Sequence, residues 1–220
     1  IDFRVAPEMA SRVRVGLLVL EGVSVRERDP GLDADVDATC ASFRERHGGG
    51  RSSEVPGAGE ARALYKALGI DPTKTRPSNE ALLRRALKGE SLYRINTLVD
   101  ALNLVSLREQ LPFGLYDLDR VRPPVLLRVG APGEAYEGIR KGAVNVEGRP
   151  VLVDSEGPFG NPTSDSLRTS ITLGARAALV VAYAPAGFSA ARLCGVLDRT
   201  AETLSRYCGG GEVARSLLPA

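Results

Sequence analysis

The sequence predicts an α+β fold. Before about residue 110 the chain is dominated by segments whose apolar residues recur with a helical period. After Pro112, short β-branched runs take over, separated by glycine, proline and asparagine. Helices and strands that segregate along a chain, instead of alternating, argue against a doubly wound parallel sheet. The third observation is composition: 220 residues, 43% hydrophobic and 25% charged, are ordinary globular values and enough for one large core. The chain is read as one domain over residues 1–220.

The elements follow in order. Val13 to Val25 is apolar and β-branched and predicts a strand, interrupted at Gly22. Leu32 to Arg46 predicts a helix closing in Gly48-Gly49-Gly50, and residues 48–58 predict a loop. Glu60 to Leu68 predicts a short helix ended by Gly69. A further helix follows Pro77, with Leu82, Leu83, Ala86 and Leu87 as its apolar stripe and Arg84, Arg85 and Lys88 outside it. Ser91 is expected to cap the next helix, whose apolar residues Leu92, Ile95, Val99, Leu102 and Val105 keep a helical period. Asn96, Asp100 and Asn103 share one face beside that stripe. Val125–Val129, Val151–Asp154 and Ala178–Tyr183 predict strands. Ser189 to Tyr207 predicts a surface helix closed by Gly209-Gly210-Gly211.

Composition also bounds function. A net charge of +2 gives no whole-chain footprint for nucleic acid, although arginine far outnumbers lysine and suits phosphate where geometry matters. Cys40, Cys194 and Cys208 lie outside CxxC spacing, so free thiols in a reducing cytosol are expected, without a disulfide framework or zinc site. His47, read as a loop residue, is the one histidine, which argues against a His-dependent triad or a His-ligated metal. No apolar run is long enough to span a membrane, and the N-terminus does not read as a signal peptide. A cytoplasmic protein without metal or cofactor is the expectation.

One segment is more specific. It runs Arg94-Ile95-Asn96-Thr97-Leu98-Val99-Asp100-Ala101-Leu102-Asn103 and continues through Leu111-Pro112-Phe113-Gly114-Leu115-Tyr116-Asp117-Leu118-Asp119. It resembles the B3/B4 domain of the bacterial phenylalanyl-tRNA synthetase beta subunit. That family shows R-x-I-N-x-x-V-D-x-x-N, then a proline-containing turn and an aromatic-D-L-D segment. Val125–Arg128 with Gly133-Glu134, and Pro150–Asp154, extend the resemblance to roughly residues 75 to 185. The chain looks like the freestanding proteins of this kind.

The resemblance implies a mixed, partly barrel-like β core flanked by helices, and a site that checks aminoacyl-tRNA. The synthetase domain hydrolyses tRNA for phenylalanine mischarged with tyrosine, without metal or covalent intermediate. Such chemistry asks for positioning of ester and water and for oxyanion stabilisation. The implied partner is the aminoacylated 3′ end of a tRNA. Two departures stand out. Synthetase members carry a histidine where this chain has Gly114, and a glutamate in a glycine-rich loop that here runs Gly157-Pro158-Phe159-Gly160-Asn161-Pro162-Thr163-Ser164-Asp165-Ser166. A different aminoacyl group, or a different tRNA, is therefore expected.

The substrate cavity is expected between the Ser91 helix and the 157–169 loop. Asn161, Thr163 and Asp165 are the candidate catalytic residues, with Asp165 orienting water. Asn96, Gly114, Gly160, Ser166 and Arg168 are the candidate substrate-binding residues, Arg168 holding a phosphate or carboxylate. Asp100 and Asn103 are expected to bond neighbouring backbone, with a pocket role as the alternative. Asp117 and Asp119 are read as a structural turn. Arg84, Arg85 and Lys88 are either a solvated face or the contact with tRNA backbone. The functional reading is a freestanding aminoacyl-tRNA deacylase acting in trans. The alternatives are a non-catalytic module for tRNA or an aminoacyl group, and a metabolic enzyme acting on a small amino-acid derivative.

Overall fold

The computed structural model describes residues 1–140 and 142–219. Its elements run β1 (Phe3–Val5), α1 (Pro7–Ala10), β2 (Val13–Glu21), α2 (Pro30–His47), α3 (Ala58–Ala67), α4 (Ser78–Lys88), α5 (Thr97–Glu109), β3 (Phe113–Asp117), β4 (Val125–Val129), β5 (Ala135–Gly138), β6 (Gly142–Asn145), β7 (Pro150–Asp154), β8 (Gly157–Gly160), β9 (Ala177–Pro185), α6 (Ala190–Cys208) and β10 (Gly211–Leu218). This is the expected α+β class.

The central sheet has the order β10-β2-β9-β3, antiparallel throughout. Its middle strands are apolar on both faces because both faces are covered. Leu18 and Leu20 of β2, with Ala178, Val180 and Ala182 of β9, pack into the core formed with α2, α4, α5 and α6. The alternate residues Val15, Leu17 and Val19, with Leu179, Val181 and Tyr183, face a second core. Gly16 lets α6 close on the sheet, since a Cβ there would lie 3.1–3.2 Å from Leu193 and Leu197.

The second sheet, order β1-β4-β7-β8, covers the other face, with β1 parallel to β4 and the rest antiparallel. Phe3, Val125, Leu127, Leu152 and Phe159 from this sheet, and Leu64 and Tyr65 from α3, fill the core between the layers. β5 and β6 form a separate hairpin. Among the described residues the two main sheets stay separate and do not close into a barrel.

Several boundaries differ from the sequence reading. The first long strand stops at Glu21, where Gly22 takes φ +72°. The helix expected from Ser91 begins at Thr97; residues 91–96 belong to neither helix nor strand, with Asn96 extended. Asn96 wins the cap: its side chain accepts from the Val99 N–H at 3.0 Å. The Asp100 carboxylate accepts from the Ile95 N–H at 3.0 Å, fixing the approach to the helix. His47, expected in a loop, is the last residue of α2.

Candidate functional site

The site is built around the turn that follows β8. The Asn161 side-chain oxygen accepts from the backbone N–H groups of Thr163 (2.8 Å) and Ser164 (2.9 Å), a local turn that asparagine favours. The Asn161 N–H donates to the Ser164 carbonyl, Gly160 bridges to Asp165, and the Ser166 N–H donates to the Phe159 carbonyl. The loop is therefore closed on itself across its base.

Tyrosines support it from beneath. Tyr65 of α3 donates to the Pro162 carbonyl at 2.8 Å and lies 3.2 Å from the Thr163 hydroxyl. Tyr136 of β5 donates to the Ser164 carbonyl. Tyr116 of β3 stands edge-on to Phe159, with ring centroids 4.9 Å apart. A Cβ at either Gly114 or Gly160 would overlap the Tyr116 hydroxyl, so both glycines exist to admit that ring. Tyr116 and Tyr183 are fully buried, and the Tyr116 hydroxyl interacts with that of Tyr183 and with Asp165. Burial, helped by the negative charge of Asp165, holds both phenols well above the usual range, and burial pushes Tyr65 up to about 12.

Between this loop and α5 lies a pocket of about 240 Å³. Asn161, Pro162, Thr163, Ser164 and Asp165 form one wall; Leu102, Asn103 and Ser106 of α5 form the other. Ser78 at the start of α4, Phe113 and Ile139 complete it. The cavity is where the sequence placed it. Pockets of this kind combine apolar walls with a few polar groups, and this one is below the roughly 300–1,000 Å³ of drug-sized sites.

Four of the singled-out residues line it: Asn161, Thr163, Asp165 and Asn103. The others do not. Asn96 is a helix cap, as above, and 5% exposed. Asn103, expected to serve structure, lines the pocket instead. Gly114 and Gly160 serve the Tyr116 ring. The Ser166 hydroxyl lies 2.9 Å from that of Thr169, under the loop. Arg168 donates to Asp154 at 2.8 Å and Glu156 at 3.1 Å and leans over the Phe159 ring, so its charge is committed. Asp117 accepts from the Asp119 N–H, the structural turn expected of that pair. Arg85 and Lys88 sit at the far end of α4, paired with Glu90, and Arg84 is beside them. Sequence reasoning missed Ser78, Ser106, Phe113, Ile139 and the tyrosine supports; a lone Tyr in an apolar segment carries no local sign of what its hydroxyl meets. Among the described residues no three His, Cys, Asp or Glu side chains gather as a metal site, and no helix is long and apolar enough to cross a membrane.

Two packed sheets, a helical layer and a pocket between a helix and a glycine-containing loop define a B3/B4-type α+β domain. The family model described as B3/4 domain matches residues 60–209, more than half of the chain, and the chain belongs to that family. Among solved structures it is similar to an N-terminal fragment of the phenylalanyl-tRNA synthetase beta subunit from Pyrococcus horikoshii, at 14% identity and a TM-score of 0.50. The alignment covers 99% of this chain and 54% of that fragment, so this chain spans about half of the fragment's length. That likeness is one of fold. No match was found among curated proteins.

Proposed function

We propose that this chain hydrolyses the ester of an aminoacyl-tRNA in trans. The observation that carries the reading is the pocket itself: a space of about 240 Å³ suits an aminoacyl group, and it sits between α5, which bears the family resemblance, and the loop after β8, both within the residues the family model matches. In this reading the tRNA 3′ end enters with its amino acid in the pocket. Thr163, Asn103 and the backbone of the Asn161 turn orient the ester, and Asp165 orients the attacking water. The aminoacyl ester is already activated, so holding water and carbonyl in line supplies most of what the reaction needs. The hydrolysed bond is the ester C–O; the carbonyl gains the water's hydroxyl, and the ribose oxygen leaves with a proton.

The tRNA relation itself draws support from membership of the B3/4 family and from the named function of the Pyrococcus horikoshii relative.

The test is a panel of radiolabelled aminoacyl-tRNAs, matched and mismatched. Release of amino acid from particular pairs supports hydrolysis. If every ester survives while tRNA shifts in a gel, the chain is a binding module. If neither occurs at low salt, a small amino-acid derivative becomes the remaining substrate class.

A further inference from the structure

Ser78 lines the pocket and opens α4. At 100° per residue, Ala81, Arg85 and Lys88 fall within about 80° of Ser78 around the helix, opposite the buried side marked by Leu83 and Ala86. Ten residues carry this stripe about 15 Å away from the pocket. Where α4 ends, the chain returns through residues 91–96, along which exposed side chains alternate with more buried ones. Leu92 and Asn96 are buried, whereas Tyr93 is 67% and Ile95 is 54% exposed.

Tyr93 is held in an unusual way for so exposed a ring. The Arg85 guanidinium lies 4.3 Å from the ring centroid and donates to the Tyr93 hydroxyl at 3.2 Å. Arg85 is itself fixed by two bonds to the Ser91 carbonyl, at 2.7 and 2.9 Å. One face of the ring is thus backed by a planar cation and the rest faces solvent. Neither Tyr93 nor Ile95 contributes to a core. Lys88 lies on the same stripe as Arg85, and Glu90 pairs with both.

We propose that the stripe from Ser78 to Tyr93 is a track for single-stranded RNA. A base stacks on Tyr93, the phosphate backbone follows Lys88 and Arg85 along α4, and the 3′ end turns into the pocket at Ser78. Stacking on a fixed aromatic is sequence-tolerant, as a module reading a common RNA end requires, and lysine and arginine supply the phosphate attraction. The length of about 15 Å corresponds to about four stacked nucleotides at 3.4 Å each, fewer if the strand is drawn out. This inference rests on the tRNA reading above and adds to it the surface that holds the RNA.

The experiment is fluorescence anisotropy at low salt with uncharged tRNA and with an RNA minihelix carrying or lacking its single-stranded 3′ tail. Proteins are the wild type, Tyr93→Ala, Tyr93→Phe and Lys88→Ala. All these changes are on the surface, and thermal melts confirm that each variant folds. The track predicts tail-dependent binding that Tyr93→Ala weakens by about fivefold or more and Tyr93→Phe retains. It also predicts that Lys88→Ala lowers the salt dependence of binding by about one phosphate contact. Wild-type affinity in both Tyr93→Ala and Lys88→Ala overturns the track and leaves the deacylase reading standing. Absence of RNA binding by the wild type overturns both. Tighter binding of a poly-aspartate peptide than of RNA to this patch overturns the track.

Discussion

Asn96 and Asn103 stand seven residues apart on one helix and do different jobs. Asn96 satisfies the first turn of α5, so Asn96→Ala is expected to lower unfolding free energy by about 1 kcal/mol in urea titrations. Asn103 lines the pocket, so Asn103→Ala should leave the melting temperature unchanged and slow hydrolysis. The sequence showed the polar stripe but not which member was the cap, because Ser91 and Asn96 are both good caps and the apolar period extends across both. The choice came from a contact five residues long, the Asp100 carboxylate on the Ile95 N–H. Gly114 is the second residue-scale case. Gly114→Ala pushes a methyl group into the Tyr116 phenol and should cost about 1–3 kcal/mol, part of which Tyr116→Phe recovers in the double variant. Alone, Tyr116→Phe removes a buried hydroxyl that interacts with Tyr183 and Asp165, and should cost about 0.5–1.5 kcal/mol. An unchanged urea midpoint would show that this hydroxyl contributes no bond to stability.

At the scale of elements, α3 and α4 are joined by a buried ion pair. Glu80, 1% exposed, accepts two bonds from Arg62 at 2.8 Å and one from Ser52 at 3.0 Å. Burial alone would raise the carboxyl group's pKa, but Arg62, Ser52 and the nearby charge of Arg76 outweigh it and leave it below its ordinary 4.5. A carboxylate held low in the folded state stabilises above its unfolded value, and that stability disappears as pH falls through the folded value. The urea midpoint should therefore hold near neutrality and fall below about pH 4.3. Glu80→Gln should be less stable at pH 7 and show a shallower acid limb; an identical acid limb would exclude the pair as a source of the pH dependence. Arg62→Ala strands a buried charge, the costlier way to break such a pair, at about 3–5 kcal/mol. The pair also fixes the first turn of α4, and so the Ser78 edge of the pocket. Helices of this kind were legible because each carries its own period and stop signal. The short strands β5, β6 and β8 are glycine-containing, and β10 is an exposed edge strand with charged residues, so none has a pattern that distinguishes it from loop. Their pairing partners, far away in sequence, decide them.

Across the whole molecule, two sheets and a helical layer bury both faces of β2 and β9, which is why those two strands stood out as continuous apolar runs. The same arrangement brings the α5 wall against the 161–165 loop, separated by some sixty residues of chain. The sequence located both walls through the family resemblance and named Asn161, Thr163 and Asp165 on one of them. Asn96, Gly114, Gly160, Ser166 and Arg168 lie outside the pocket lining, because they serve the helix cap, the Tyr116 ring, the loop base and an ion pair with Asp154, contacts made only in three dimensions. The central claim is that this pocket hydrolyses an aminoacyl ester with Asp165 directing the water. The most direct test is the single-turnover deacylation rate of Asp165→Asn beside the wild type, on the aminoacyl-tRNA that the wild type cleaves best, with melting temperatures matched. The account predicts a fall of about tenfold or more. Equal rates in a folded Asp165→Asn protein would contradict it.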